Sequence, residues 1–101
     1  MNDRELLELT AKAAGLRLEW DGHPDAWQPM YYEGKTYHSW DPLQDDGQAL
    51  RLAVNLGLDK KLQHLLQGDA YRTDYFALGA FAATRRAIVR AAAEIGKTRS
   101  D

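Results

Sequence analysis

Three aspartates and a histidine lie close together in a segment that could hold a metal ion or paired catalytic carboxylates. They are His38, Asp41, Asp45 and Asp46. Oxygen ligands suit Mg²⁺ or Ca²⁺, and paired carboxylates suit general acid and base catalysis. Each acid also fits a structural role, because Asp41 precedes a proline in a turn. Asp45 is placed to cap a helix, and Asp46 would lie at the positive end of that helix. We favour the structural roles, and a metal-assisted hydrolase using His38 and Asp41 is a further hypothesis.

The remaining candidate nucleophiles and metal ligands are scattered. The histidines at 23, 38 and 64 have no spacing that would place two imidazoles on one face of a helix. Ser39 and Ser100 do not lie in a nucleophile-elbow setting, and the chain has no cysteine. We therefore predict no catalytic residue, no metal site and no cofactor, so that the protein is not an enzyme.

A local basic strip is predicted on the last helix. Arg85, Arg86 and Arg90 fall on one side of it, close to Lys97 and Arg99. Such a strip could contact the phosphates of a nucleic acid. Arginines near a helix C-terminus also complement the helix dipole and pair with neighbouring acids. No recognised nucleic-acid motif accompanies the strip, and nucleic-acid binding through Arg85, Arg86 and Arg90 is therefore the alternative function.

Aromatic residues concentrate between the first two predicted helices. They are Trp20, Trp27, Tyr31, Tyr32, Tyr37 and Trp40. Strand alternation sends some of them into a core and others outward, where Trp and Tyr supply contact area at protein interfaces. We predict a partner-binding surface at Trp27, Tyr31, Tyr32 and Tyr37, with core packing as the alternative for the same residues.

Capping signals place the first two helices. Asn2 or Asp3 can cap the first helix, and Gly15 can end it in a left-handed conformation. Asp45, followed three positions later by Gln48, resembles a capping box that starts the second helix.

Helical periodicity assigns a buried face to the second and the last helix. The second helix is predicted to bury Leu50, Ala53, Val54 and Gly57, with help from Leu52 and Leu56. The last is predicted to bury Phe81, Ala87, Ile88, Ala91, Ala92 and Ile95, and to stop at Gly96.

Alternating and aromatic-rich segments indicate strands. Residues 16–20 alternate between apolar and charged, and residues 30–32 and 35–40 flank a glycine in a hairpin pattern. Residues 60–73 fit a helical step and a strand equally well. A short hairpin there would place Tyr71, Tyr75 and Phe76 in or beside the sheet. We predict an α+β fold, a predominantly antiparallel sheet layered with about three helices.

Composition is that of one globular domain. The 101 residues carry a net charge of −2, with 45% hydrophobic and 28% charged residues. We predict a single domain over residues 1–96 and a frayed tail over 97–101. No export signal or membrane span is visible, so a cytoplasmic location is expected. An uncovered sheet edge would also permit homo-oligomers.

Three blocks of the chain, over residues 3–15, 40–54 and 83–96, resemble the phage ABA sandwich domain family of small phage and prophage proteins. The resemblance implies a sheet layered between helices and expression in a bacterial cytoplasm, and it implies no activity or catalytic residue. We predict a phage or prophage accessory protein that acts by protein binding, with antagonism of a host defence system as one use.

Overall fold

Helices make up most of the described chain. The computed structural model describes residues 2–21, 28–33 and 36–99, with side chains described for 2–19 and 39–99. The helices are α1 (Asp3–Ala14), α2 (Asp46–Asn55), α3 (Leu62–Leu65), α4 (Asp69–Leu78) and α5 (Ala80–Thr98). A 3₁₀ turn at Leu58–Lys61 precedes α3. The strands are β1 (Leu18–Asp21), β2 (Gln28–Glu33) and β3 (Thr36–Ser39).

The predicted fold class, a predominantly antiparallel sheet layered with about three helices, is wrong. The described chain is predominantly helical, and α1, α2, α3 and α4 all pack against α5. The strands make their main contacts with one another, and the helices do not sandwich them. The error arose in residues 60–80, where local periodicity did not distinguish strand from helix and the chain is helical. A sandwich of the kind that the resemblance implies needs helices on both faces of a larger sheet.

The strands form a small antiparallel meander in the order β1-β2-β3. Leu18 of β1 lies opposite Tyr31 of β2, and Tyr32 of β2 lies opposite Tyr37 of β3. Leu18 also packs against the helical core. The meander is thus attached to the core along β1.

The caps lie where the sequence places them. The Asn2 side chain accepts from the Glu5 N–H at 2.8 Å, and Gly15 ends α1 at a φ of 73°. The Asp45 carboxylate accepts from the Gln48 N–H at 2.8 Å and begins α2. The Gln48 side chain does not complete a capping box. Its Nε2 donates to the Ser39 carbonyl at 2.8 Å, and its Oε1 accepts from the Asp41 N–H, so that it ties the end of β3 to α2.

The core lies where α1, α2 and α5 meet. It is built from Leu6, Leu7, Ala11, Trp40, Leu43, Ala49, Leu52, Ala53, Leu58, Ile88, Val89, Ala92 and Ala93. Thr10 is fully buried among them, and its Oγ1 donates to the Val89 carbonyl at 3.1 Å. Alanines on α5 allow the other helices to approach it closely.

Two predicted helix faces differ from those in the structure. On α2, Leu50 and Val54 are 56% and 55% exposed. Ala53 and Leu52 are buried as predicted, and Ala49 is buried with them. On α5, Phe81 is exposed.

The predicted stop at Gly96 is also wrong, because α5 continues to Thr98. Gly96 lies within the helix, where a Cβ would overlap the carbonyl group of Leu9. The glycine therefore permits a close crossing of α1 and α5 and does not end a helix.

Candidate interaction surface

Four large apolar side chains are exposed where α4 meets α5. Tyr75, Phe76, Leu78 and Phe81 are 48%, 81%, 53% and 77% exposed. We call these four residues the apolar tip. Together they expose roughly 500 Å² of surface, taking about 200 Å² for each full side chain. A patch of this size on a small protein is commonly a site of interaction.

A single glycine shapes the apolar tip. Gly79 ends α4 and precedes α5, and its φ of 90° and ψ of 169° are open to glycine alone. The two helices therefore reverse direction with no intervening loop and pack side by side. Tyr75, Phe76 and Leu78 come from the last turn of α4 and Phe81 from the first turn of α5, which brings the four side chains to one end of the hairpin.

Helix α4 contributes surface to the molecule but little to the core. None of its residues, from Asp69 to Leu78, is buried. Asp74 faces α5 and receives a hydrogen bond from Arg90 Nη1 at 2.7 Å, and Arg86 Nε lies 3.9 Å from the same carboxylate oxygen. The helix is thus attached to α5 by an ion-pair cluster, and its outer side is free for another contact.

A groove borders the apolar tip on the outer side of α4. It has a volume of about 540 Å³ and is lined by Leu66, Gln67, Gly68, Tyr71, Arg72, Tyr75 and Phe76. The rings of Tyr75 and Phe76 lie edge to face, with centroids 5.9 Å apart. The rings of Tyr71 and Tyr75 are inclined to each other at 58°, with centroids 6.1 Å apart. Tilted and edge-to-face arrangements of this kind are attractive between aromatic rings.

Charge is absent from the apolar tip. No residue between Asp74 and Arg85 in the sequence is charged. Among the residues that line the groove, Arg72 is the only one with a charged side chain. An apolar occupant of this surface would therefore displace water without removing ion pairs from solvent.

The predicted basic strip is occupied by carboxylates from three other helices. Arg85 Nη1 donates to Asp46 of α2 at 2.6 Å, and its Nε donates to the Leu43 carbonyl at 2.8 Å. Arg86 Nη2 donates to Asp3 of α1 at 2.9 Å, and this hydrogen bond raises the pKa of Arg86 above its ordinary value. With Arg90 bound to Asp74 of α4, each arginine joins α5 to a different helix.

These ion pairs reduce the positive electrostatic potential that the strip would present to a nucleic acid. The side chains of Arg85, Arg86 and Arg90 are only 16%, 23% and 32% exposed. A phosphate would have to compete with a carboxylate already in place at each of them. The geometry of the three arginines therefore supports a structural role more directly than phosphate binding.

Three of the four predicted partner-binding residues belong to the meander. Trp27 lies outside the described residues. Tyr31 and Tyr32 belong to β2 and Tyr37 to β3, and the side chains of all three tyrosines are outside the described part. The aromatic surface at these four residues stays a prediction.

The acids near Pro42 have the structural contacts expected of them. Asp41 Oδ1 accepts from the Leu43 N–H at 3.2 Å and thereby stabilises the turn. Burial, reinforced by the nearby charge of Asp3, raises the pKa of the Asp41 carboxyl above its usual value. No group of three or more His, Asp or Glu residues is arranged to hold a metal ion within the described ranges. The side chain of His38 is outside the described part, so its pairing with Asp41 stays a hypothesis.

The sequence does not predict the apolar tip. Helical periodicity assigns Phe81 to a core face, and the alternative hairpin places Tyr75 and Phe76 in or beside a sheet. A usable signal was present, because the uncharged run from Tyr75 to Thr84 is interrupted by Gly79. An apolar run with a helix-breaking glycine at its centre is typical of a turn between two helices.

Comparisons with known proteins give no relative. No family model matches the chain, and no curated protein or solved structure matches it significantly. Across the described residues, no helix is both long enough and apolar enough to span a bilayer.

Proposed function

We propose that this chain is a protein-binding domain that acts by docking and not by catalysis, with the apolar tip as its contact surface. In the cell it would serve as a small accessory protein, in line with the phage or prophage context expected from the sequence. The observation that carries the proposal is the exposure of Phe76 and Phe81, at 81% and 77%, beside two further apolar side chains. Aromatic residues at the centre of an apolar patch are typical of binding hot spots.

The surroundings of the apolar tip favour a protein as the ligand. A hot spot needs a central apolar anchor, a neighbouring pocket and a polar rim that excludes water. Phe76 and Phe81 provide the anchor, and the groove beside Tyr71 provides the pocket. Gln67 and Arg72 at the groove supply polar groups for the rim. The patch of roughly 500 Å² is close to the share that one partner contributes to a small specific interface.

Capture with purified, tagged chain from a bacterial lysate that also contains the untagged chain tests the proposal, because a second copy of the chain is then among the proteins that can be retained. The test variant is Phe76→Gln/Phe81→Gln, because glutamine removes the rings and keeps helix propensity. The matched control is Leu50→Gln/Val54→Gln, which changes two apolar side chains exposed on α2. We expect wild type and control to retain the same protein and the tip variant to lose it. With that protein purified, the tip variant should bind at least about 30-fold more weakly.

A third variant distinguishes the two candidate surfaces. Trp27→Ala/Tyr31→Ala alters two residues of the predicted aromatic surface and leaves the apolar tip intact. Equal retention of the same protein by the tip variant and wild type would contradict the proposal. Loss of the partner only from the Trp27→Ala/Tyr31→Ala variant would assign the binding to the predicted aromatic surface.

A further inference from the structure

We infer that the partner that covers the apolar tip is a second copy of this chain, so that two α4–α5 hairpins pack into a four-helix dimer interface. This inference rests on the proposed function, since it names the partner of the same surface. The first support is the exposure of α4: none of its residues is buried within one chain. A helix that carries exposed Tyr75, Phe76 and Leu78 gains its missing apolar contact when a second hairpin covers it.

Charge supports a second copy as the occupant. In a two-fold symmetric interface the same patch meets itself, so any unpaired charge in the patch meets a like charge. The stretch from Tyr75 to Thr84 has no charged residue. The acid that precedes it, Asp74, is already bound to Arg90. The four side chains of the apolar tip therefore meet their own copies without like-charge repulsion. Arg72, the charged residue at the adjoining groove, belongs to the polar rim.

The area of the apolar tip is sufficient for a dimer. Each chain exposes roughly 500 Å² at its four side chains, so two chains offer about 1,000 Å². That total reaches the lower end of the range for specific interfaces. The groove adds further contact on the outer side of α4. We expect a dimer with a dissociation constant in the micromolar range, as suits an interface of modest size.

Shape also fits a copy of the same surface. The projecting ring of Phe81 lies at one end of the hairpin, and the groove beside Tyr71 and Phe76 lies along α4. The groove is open to solvent, so an aromatic side chain of a second copy could lie along it. The same surface thus offers both a projecting group and a recess, which is what a self-complementary interface requires.

Sedimentation equilibrium of the purified chain tests the inference. The protein concentration is varied between about 1 and about 200 µM, the range over which a dimer with a micromolar dissociation constant dissociates. We expect wild type and Leu50→Gln/Val54→Gln to show the same monomer–dimer equilibrium. Phe76→Gln/Phe81→Gln should dimerise at least about 30-fold more weakly. Far-UV circular dichroism of each variant should show unchanged helix content, which separates loss of contact from loss of fold. A wild-type chain that is monomeric at the highest concentration overturns the inference.

Cysteine cross-linking provides a second measurement, because the chain contains no cysteine of its own. We expect Ala77→Cys to form a disulfide-linked dimer faster than Val54→Cys under mild oxidation, since Ala77 lies on the helix that the second copy would cover and Val54 does not. Equal rates overturn the inference. A dimer that survives the Phe76→Gln/Phe81→Gln changes also overturns it, because the contact would then lie on another surface. If the chain is monomeric but the tip variant still loses a captured protein, the second copy is excluded and the proposed function stands.

Discussion

The backbone of Gly96 lies directly against the carbonyl group of Leu9, and there is no room for a Cβ between them. An ideal Cβ at position 96 would lie only 2.8 Å from the Leu9 carbonyl carbon. The contact allows α1 and α5 to cross closely, and these two helices form the most extensive pair in the described chain. A side chain at this position would have to push the helices apart.

Gly96→Ala should therefore destabilise the protein by about 1–3 kcal/mol, the usual cost of forcing an added group into a packed interior. Helix propensity favours alanine over glycine by about 1 kcal/mol, so a net loss of stability would isolate the steric effect. Urea denaturation followed by circular dichroism measures the difference. Lys97→Ala, at an exposed neighbour, should stay within about 0.5 kcal/mol of wild type. A stabilised Gly96→Ala protein would show that α1 and α5 are not in close contact.

Thr10→Val should cost about 1 kcal/mol, because it removes the hydroxyl that donates to the Val89 carbonyl and keeps the shape of the side chain. The loss is moderate because that carbonyl still accepts the hydrogen bond of its own helix. Thr84→Val makes the same change at an exposed threonine, whose Oγ1 bonds to Ala80 within one turn. It should shift stability by less than about 0.5 kcal/mol. Equal effects at the two positions would argue against a special role for the buried hydroxyl.

Asp74→Asn should weaken the attachment of α4, because Arg86 and Arg90 would lose the carboxylate between them. We expect a loss of about 1–2 kcal/mol, in line with a hydrogen-bonded ion pair that is mostly screened from solvent. Added salt should destabilise wild type more than the variant. Amide hydrogen exchange in α4 should be faster in the variant.

The control for Asp74 is Glu94→Gln. Glu94 pairs with Lys97 on the surface, where the two side chains are 70% and 43% exposed. Its replacement should change stability by less than about 0.5 kcal/mol. If Asp74→Asn had no larger effect than Glu94→Gln, the cluster would contribute nothing to holding α4.

Asp41→Asn should change how stability depends on pH. Burial raises the pKa of Asp41 in the folded chain above its usual value of 3.8, so the folded state binds its proton more tightly than the unfolded state. Ionisation of this buried carboxylate lowers the free energy of unfolding. The loss is absent below pH 3.8, where the carboxyl is protonated in both states, and is complete above the raised pKa of the folded state. The stability of wild type relative to Asp41→Asn should therefore fall as pH rises from about 3.8.

Paired denaturation curves of the two proteins in acid measure this difference, and the other carboxylates cancel because both proteins carry them. The asparagine oxygen can still accept from the Leu43 N–H, so the turn is retained. Parallel pH profiles, or a relative stability that rises with pH, would contradict the assigned direction of the pKa shift.

The sequence predicts the local features of this fold better than its tertiary arrangement. Asn2, Gly15 and Asp45 are identified correctly because a cap depends on neighbours within one turn. The buried side of α2 is predicted only in part, since Ala53 and Leu52 are buried but Leu50 and Val54 are exposed; Leu50 and Leu52 are both apolar. The choice between their faces depends on where α5 lies, and periodicity within α2 does not contain that information.

For the apolar tip, too, the local feature can be predicted from the sequence and the tertiary feature cannot. Local propensity marks Gly79 as a break, but the exposure of Phe81 depends on whether another element covers it. Phe81 has the spacing of a core residue, yet no described helix or strand covers it. Gly96 shows the converse error. A glycine near the end of a helix can end that helix, but it can also allow a second helix to cross closely, and the local sequence does not distinguish the two roles.

Since every other helix makes a main contact with α5, the earlier helices have little to hold them together until α5 has been synthesised. A ribosome that has completed residues 1–79 has made the aspartates at 3, 46 and 74 but none of the arginines that bind them. Assembly must then bring distant parts of the chain together in one step, with α5 as the last component to arrive. Truncation within α5 should consequently release α1, α2 and α4 together and should not leave a partly folded remainder.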